Sequence, residues 1–275
     1  MKKVIVISGI GQGMGREVAL LLSKRDYILC GFDIDAEAIR TLGEELTAQK
    51  VEHLLESFDI TDAKRLQKFR DSVIARHGHV DTVLSNVGIG FFGAFEEVDL
   101  ERALQCFNIN VIGCARLFQL FLPGMRERRA GKLVAMSSLV GQIPFPFESI
   151  YSSSKFAIEG LVQSIRFEVQ PYNIEVALIE PAQVSTGFAA KVHRLPHPAS
   201  PYFERVRRFL ERDKELIKTA TKPNEAAPRI VAVLEAKRPS LFNQVDGMST
   251  FFLFLNRILP LKLRDFILLN HMDIR

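Results

Sequence analysis

Short apolar runs alternate with amphipathic stretches through the first two-thirds of the chain. Runs of strand length fall at Lys3–Ile7, Tyr27–Phe32, Val51–Phe58, Val80–Leu84, Lys132–Met136 and Ile174–Ile179. Between them, apolar positions recur at helical spacing over 14–25, 35–48, 62–77, 98–128 and 150–171. Runs that are apolar throughout suit strands buried on both faces. Alternating β and α elements imply right-handed crossovers and a parallel sheet covered by helices on both sides. A helix near 224–237 and a strand near Ser240–Val245 extend the series to about seven strands. The expectation is an α/β doubly wound parallel sheet in a single domain spanning 1–275.

Two stretches break the rhythm. Gly187–Lys222 gathers Pro196, Pro198, Pro201, His193, His197 and many charges. It reads as a substrate lid inserted at 187–222 over the carboxyl edge of the sheet, where open α/β sheets bind ligands. The tail, 246–275, is strongly apolar from Thr250 to Leu269 but is interrupted by Pro260 and several charges. It is too broken to span a bilayer. Two readings stay open for it: packing on the pocket or a subunit neighbour, or an interfacial helix with its basic residues at lipid headgroups.

Composition narrows the classes. At 275 residues, 47% hydrophobic and 25% charged, the chain is large enough for one well-buried domain. It contains no uninterrupted apolar run of the ~18 residues a membrane span needs. Met1-Lys2-Lys3 leads straight into a short apolar run and a glycine loop, unlike a secretory signal. A cytoplasmic location is therefore expected, with peripheral membrane contact through the tail as the variant. Cys30, Cys106 and Cys114 have apolar neighbours and no metal-ligand spacing, so they read as buried thiols, and no metal site is expected. The net charge of +4 is modest. Arg126, Arg128, Arg129 and Lys132 sit where a helix ends, a position that favours cations, so no nucleic-acid partner is expected.

The first strand runs into Ser8-Gly9-Ile10-Gly11-Gln12-Gly13-Met14-Gly15, which opens a helix. Glycines let backbone approach a ligand closely, and a helix N-terminus offers free N–H groups to a pyrophosphate. Gly9, Gly13 and Gly15 are the spacing glycines, with Gln12 and Met14 between them. Asp33 ends the second strand, 24 residues after Gly9, where a carboxylate would meet the adenosine ribose hydroxyls. It would repel a 2′-phosphate, and no lysine or arginine stands at 12 or 34. NAD(H) is therefore expected over NADP(H). Asp35 is the alternative N-cap of the next helix.

Tyr151 and Lys155 lie four residues apart, so one helix face presents both, and Ser138 lies thirteen residues upstream. An ammonium beside a phenol would pull its pKa from near 10 toward neutrality, as proton exchange with an alcohol or ketone requires.

With these pieces in order, residues 3–190 resemble the classical short-chain dehydrogenase/reductase family, with its Rossmann-like fold. The resemblance implies that Asn110, Ser138, Tyr151 and Lys155 are catalytic: Tyr151 as acid and base, Ser138 on the substrate oxygen, Lys155 also on the nicotinamide ribose. Asn110 would anchor a water linking Lys155 to solvent. Asp59-Ile60 looks like the adenine contact, and Ser85-Asn86-Val87-Gly88 like the Asn-Asn-Ala-Gly turn, with Ser85 and Val87 as departures. Pro181-Ala182-Gln183-Val184-Ser185-Thr186 resembles the segment that closes over the nicotinamide; Thr186 stands at the carboxamide position and Ala182 replaces a glycine. Lys155–Gly160 and Glu180-Pro181 with Thr186–Phe188 look like the hydroxysteroid and retinol dehydrogenase-like branch. Within the family, the helices at 98–128 and 150–171 form the subunit interface, so a homodimer or homotetramer is implied.

Leu139, Val140, Ile143, Phe145 and Phe147, with Phe91, Phe92 and Phe188, could line a pocket for a lipophilic steroid-, retinoid- or lipid-like molecule. The competing readings are a 3-oxoacyl thioester reductase, for which Asp33 is a poor fit, and a non-catalytic dinucleotide-sensing protein.

Overall fold

In the computed structural model, which describes residues 2–185, 193–194 and 197–275, seven strands form one parallel sheet. They are β1 (Lys3–Ser8), β2 (Tyr27–Asp33), β3 (His53–Ser57), β4 (Thr82–Ser85), β6 (Gly131–Met136), β7 (Ile174–Ile179) and β9 (Phe242–Asn243), and they pair in the order β3-β2-β1-β4-β6-β7-β9. The order reverses between β1 and β4, which leaves a crevice beyond their carboxyl ends. Two further short strands, β5 (Phe91–Phe92) and β8 (His193–Arg194), pair beside the sheet. The doubly wound parallel sheet and its seventh strand are as the apolar pattern predicted.

Helices cover both faces. On one side α1 (Gly13–Leu22), α2 (Ala36–Ala48) and α8 (Pro223–Glu235) bury Val18, Leu42 and Ile230 against Ile5, Leu29 and Val134. On the other, α3 (Ala63–His77), α5 (Gly113–Arg128) and α6 (Ser149–Val169) bury Phe69, Leu117 and Ile158 against Val6, Val83 and Leu133. Aspartates start α2 and α3. Asp35 accepts from the Ala38 N–H at 3.0 Å to cap α2, and Asp62 does the same for α3 from Arg65 at 3.0 Å. Caps of this kind contribute about 1 kcal/mol each.

The helix expected over 98–128 differs in one respect. It runs as α4 (Leu100–Phe107), a π-helical turn (Asn108–Ile112) and α5. A π turn holds one extra residue, which 3.6-residue periodicity cannot reveal, and such bulges often sit at functional sites. This one buries Asn110. As a continuous rod, Leu100–Arg128 is long and apolar enough to cross a membrane, with mean hydropathy 1.3. Its apolarity is accounted for by Leu117, Phe118, Phe121 and Met125, which pack into the core.

The segment expected as a lid contains α7 (Phe203–Lys218), whose Val206, Phe209 and Leu210 pack against Phe92 and Ala94. The tail forms α9 (Gly247–Ile258) and α10 (Leu261–His271). Phe252 and Leu253 of α9 bury against Leu139, and Met272 and Ile274, just after α10, bury against α7. The tail therefore packs on the pocket wall through one of its faces.

Candidate active site

The turn after β1 is built for close approach. Gly9 and Gly13 hold positive φ (68° and 53°), which an L side chain rarely adopts. A Cβ on Gly15 would stand 2.1 Å from the Gly9 carbonyl oxygen, so only glycine lets α1 begin this near the strand. Asn86 Nδ2 donates to that same carbonyl at 3.0 Å, and Ser8 Oγ accepts from the Asn86 N–H at 3.0 Å. These bonds clamp the end of β4 onto the end of β1 at the point where the strand order reverses.

A groove follows from this crevice. Gly9, Gln12, Gly13, Met14, Asp33, Asp59, Ile60, Asn86, Val87 and Gly88 all line it, floored by Phe32 and Phe58. Asp33 is buried at its edge. One carboxyl oxygen accepts from the Gly11 N–H at 3.1 Å and the other from the Asp35 N–H at 3.1 Å. Asp35 meanwhile caps α2 and accepts from Gln12 Nε2 at 2.6 Å, so the two carboxylates divide the work between them. Asp59 folds a tight turn by accepting from the Thr61 N–H at 2.8 Å. Gly15 lies behind the groove, where its part is to bring α1 close.

A second cavity opens from the first, and the two share Met14, Asn86 and Gly88. Ser138, Tyr151 and Lys155 line it, as do Pro181 and Val184. Ser138, at the end of β6, donates to the Pro181 carbonyl at 3.4 Å. Lys155 Nζ donates to the Met136 carbonyl at 2.9 Å and lies 5.7 Å from the Tyr151 ring centre. Asn110 stands behind them. Its Oδ1 accepts from the Ile89 N–H at 2.9 Å, and its Nδ2 donates to the Ile89 carbonyl at 3.0 Å and to Ser154 Oγ at 2.9 Å. Both amide hydrogens are thus engaged. Thr186 and Phe188 lie outside the described residues.

The electrostatics depart from the expectation that Lys155 depresses the phenol. Burial is the largest influence on both groups. It pushes Tyr151 up, helped by Glu148 and opposed by a hydrogen bond with Ser138. Burial brings Lys155 down to about 8, with Cys114, Cys106 and Glu159 pulling the other way. Removing the solvation of a charged form outweighs a single cation several ångströms away.

The apolar wall is drawn from more of the chain than expected. Leu139, Val140, Phe92 and Phe145 line the cavity, whereas Phe91 is buried in the core beside Tyr151 and Phe147 packs on Phe209. Leu216 and Ile217 of α7, Met248 and Phe252 of α9 and His271 of α10 complete it. Glu148, Gln183 and Asp213 are polar wall residues that sequence reasoning missed. Glu148, three residues before Tyr151, had a readable signal in its spacing; Asp213 had none.

The groove and cavity together form one elongated cleft with a glycine turn at one end and a phenol at the other. That arrangement fits a nicotinamide dinucleotide, and likeness to known proteins agrees. The family described as short chain dehydrogenase matches residues 3–195. Human retinol dehydrogenase 8 is 30% identical over 265 residues, covering 89% of this chain and 81% of its own. Human 17-beta-hydroxysteroid dehydrogenase type 1 is 28% identical over 252 residues, covering 87% and 76%. A crystal structure of a short-chain dehydrogenase from Streptomyces avermitilis shares 29% identity with a TM-score of 0.82, covering 92% and 91%. The chain is a short chain dehydrogenase, an NAD(P)-linked oxidoreductase of the family's hydroxysteroid and retinol dehydrogenase-like branch.

Proposed function

We propose that the protein is an NAD(H)-dependent oxidoreductase that interconverts a secondary alcohol and a ketone on a lipophilic, steroid-, retinoid- or lipid-like substrate. The observation that carries this is the shared cavity: Ser138, Tyr151 and Lys155 face one largely apolar space that opens into the groove holding Asp33.

Bound along the groove, the dinucleotide supplies or accepts the hydride. Tyr151 gives its phenolic proton to the nascent alkoxide in reduction and takes the alcohol proton in oxidation. Ser138 Oγ holds the substrate oxygen, turning from its long 3.4 Å bond to Pro181. Lys155 keeps one hydrogen on Met136 and would offer the others to the nicotinamide ribose of a bound dinucleotide. Asn110 positions rather than reacts: it ties Ile89, just past Gly88, to Ser154 of the catalytic helix. Pro181 and Val184 would hold the nicotinamide end, and α7 would cover the substrate side of the cavity through Leu216 and Ile217.

NAD(H) over NADP(H) is supported by the groove lining. Asp33 and Asp59 are its charged members, and no lysine or arginine is among the described lining residues. A homo-oligomer is supported by the apolar side chains that α4 to α6 leave outside, among them Leu104, Ile112, Phe156 and Phe167. Sedimentation of the wild type against a Phe156→Glu, Phe167→Glu variant tests that surface. We place the enzyme in the cytoplasm with its tail against a lipid surface.

The decisive experiment pairs Tyr151→Phe with a panel of steroids, retinoids and long-chain alcohols. The wild type turns over at least one lipophilic member with NAD, and the variant turns over none while still enhancing NADH fluorescence on binding. Retained turnover in the variant overturns the mechanism. Faster turnover with NADP than with NAD overturns the reading of Asp33.

A further inference from the structure

Tyr151, Lys155 and Glu159 follow one another at intervals of four along α6, so one helix face carries all three into the protein. The mechanism uses the first two and leaves Glu159 without a task. It is 4% exposed, a burial that an ionised side chain rarely accepts without a partner. Three consecutive residues at the end of β6 meet this row. Met136 accepts from Lys155 through its carbonyl, Ser137 lies beside Glu159, and Ser138 bonds Tyr151. The turn at Gly141 shows how tight the middle pair is. A Cβ there would stand 2.6 Å from Ser137 Oγ and 3.3 Å from Glu159 Oε1. In that space neither carboxyl oxygen completes a well-formed hydrogen bond.

Several elements bring charge to this place. Burial pushes the Glu159 carboxyl up to about 8; the Ser137 hydroxyl holds it down, Glu180 raises it and Lys155 lowers it. Glu180, just past β7, is fully buried and accepts from Gln142 Nε2 and, at 2.6 Å, from Gln244 Nε2. Arg257 of α9 also favours its charge. Glu180 is thus supplied with donors, whereas Glu159 has one hydroxyl and the field of Lys155. On the lysine's side, Cys114 of α5, Cys106 of α4 and Glu159 all favour the charged form. Burial pushes both thiols up to about 11, so they stay neutral below that pH. Glu159 is therefore the anion of the three. It makes no contact ion pair with Lys155, and its influence crosses the dry space between them.

We propose that Glu159 is the counter-ion of Lys155, a positioning residue that keeps the catalytic ammonium charged in alkaline solution. The inference rests on the oxidoreductase reading and adds a residue to its site. Glu159 lines neither the cavity nor the groove, so it acts through Lys155 alone. Lys155 must be charged to hold the ribose and to favour the phenolate. Below about pH 8 Glu159 holds its proton and Lys155 is charged without help. Above that pH the carboxylate forms, and its field resists loss of the lysine proton. A neutral amide at 159 therefore lowers the pKa of Lys155. The damage falls on the alkaline limb of the pH profile, where alcohol oxidation, which releases a proton, is favoured.

The test compares alcohol oxidation with NAD near pH 7 and pH 9 in the wild type and in Glu159→Gln. In the variant the ratio of kcat at the higher pH to that at the lower should fall about tenfold, as a shift of one pH unit gives. Glu159→Asp restores the charge and should restore most of the ratio. An unchanged ratio in Glu159→Gln overturns the proposal whatever the absolute rate, since lost packing alone lowers both values alike. So does a low ratio that persists in Glu159→Asp. If Glu159→Gln does not fold, Ser137→Ala moves the same limb the same way, because it denies Glu159 the hydroxyl that favours its charge. An unmoved limb there overturns the proposal as well. NADH binding needs no substrate and separates the two levels. Between the same pH values Glu159→Gln should lose about tenfold more affinity than the wild type, by fluorescence titration. That loss, with no alcohol oxidised by the wild type, leaves the counter-ion standing and overturns the oxidoreductase reading. Normal oxidation with equal affinity ratios in both proteins overturns the counter-ion alone.

Discussion

Lys155 Nζ lies 5.7 Å from the centre of the Tyr151 ring and donates to the Met136 carbonyl at 2.9 Å. The bond aims a buried ammonium along the wall between cofactor groove and phenol, at a cost to the fold. Burial lowers Lys155 from 10.5 to about 8, so between those values the folded chain binds fewer protons than the unfolded one. The penalty for holding a charged lysine is therefore full below about pH 8 and fades as pH rises toward 10.5. At neutral pH it amounts to about 3 kcal/mol at most, part of it offset by the bond to Met136. Lys155→Met should raise the melting temperature at pH 7 by about 2–8 °C while abolishing turnover. The gain should shrink toward zero near pH 10. Thermal unfolding at both pH values reads the result, and a variant less stable than wild type at pH 7 would contradict the account.

The contact between Gly9 and Gly15 makes a different demand. Any side chain at 15 meets a backbone oxygen, which cannot swing aside as a flexible side chain would. Gly15→Ala should push α1 away from the turn, destabilise the fold by about 1–3 kcal/mol and weaken NADH binding at least tenfold. Gly160, where a Cβ would meet nothing within 4 Å, is the control. Gly160→Ala should bind NADH as the wild type does, and fluorescence titration distinguishes the two.

Asp33 offers a change of specificity rather than a loss. Its carboxyl already accepts two backbone N–H bonds, so removing the charge also loosens the turn at Gly11. Asp33→Ser keeps a short acceptor there, and Ile34→Arg, at an exposed neighbour lining the groove, adds a cation for a 2′-phosphate. The double variant should shift the ratio of kcat/KM for NADPH over NADH upward by at least tenfold. An unchanged ratio would mean that Asp33 faces away from the ribose.

The sheet was legible because every central strand is apolar on both faces and every connection has a helical period. The cleft was legible for a related reason: Gly9–Gly15, Asp33, Asn86 and Tyr151–Lys155 are local patterns, each readable within a few residues. What stayed hidden depended on distant partners. The π turn at Asn110 exists alongside a clamp on Ile89, 21 residues away. Asp213 enters the cavity only because α7 folds back over the sheet edge. The direction of the Tyr151 shift was hidden too, because spacing reveals the lysine but not the loss of solvent around the phenol.

The tail presents two faces with different fates. Phe252 and Leu253 turn inward to the pocket wall, while Phe251, Phe254, Ile258, Leu261, Leu263 and Phe266 stand between 45% and 61% exposed on the same two helices. A patch of this kind on a soluble monomer marks a binding surface. Arg257 and Lys262 flank it, which suits anionic headgroups, and burying each phenylalanine would contribute about 1.5–3 kcal/mol. Full-length protein should therefore float with phosphatidylserine-containing liposomes, less so at high salt. Phe254→Glu combined with Phe266→Glu should abolish flotation yet leave turnover of a water-soluble substrate intact, since neither residue lines the cavity. If the wild type stays with the soluble fraction and instead dissociates into smaller species when these residues are changed, the face is a subunit contact and the lipid reading fails.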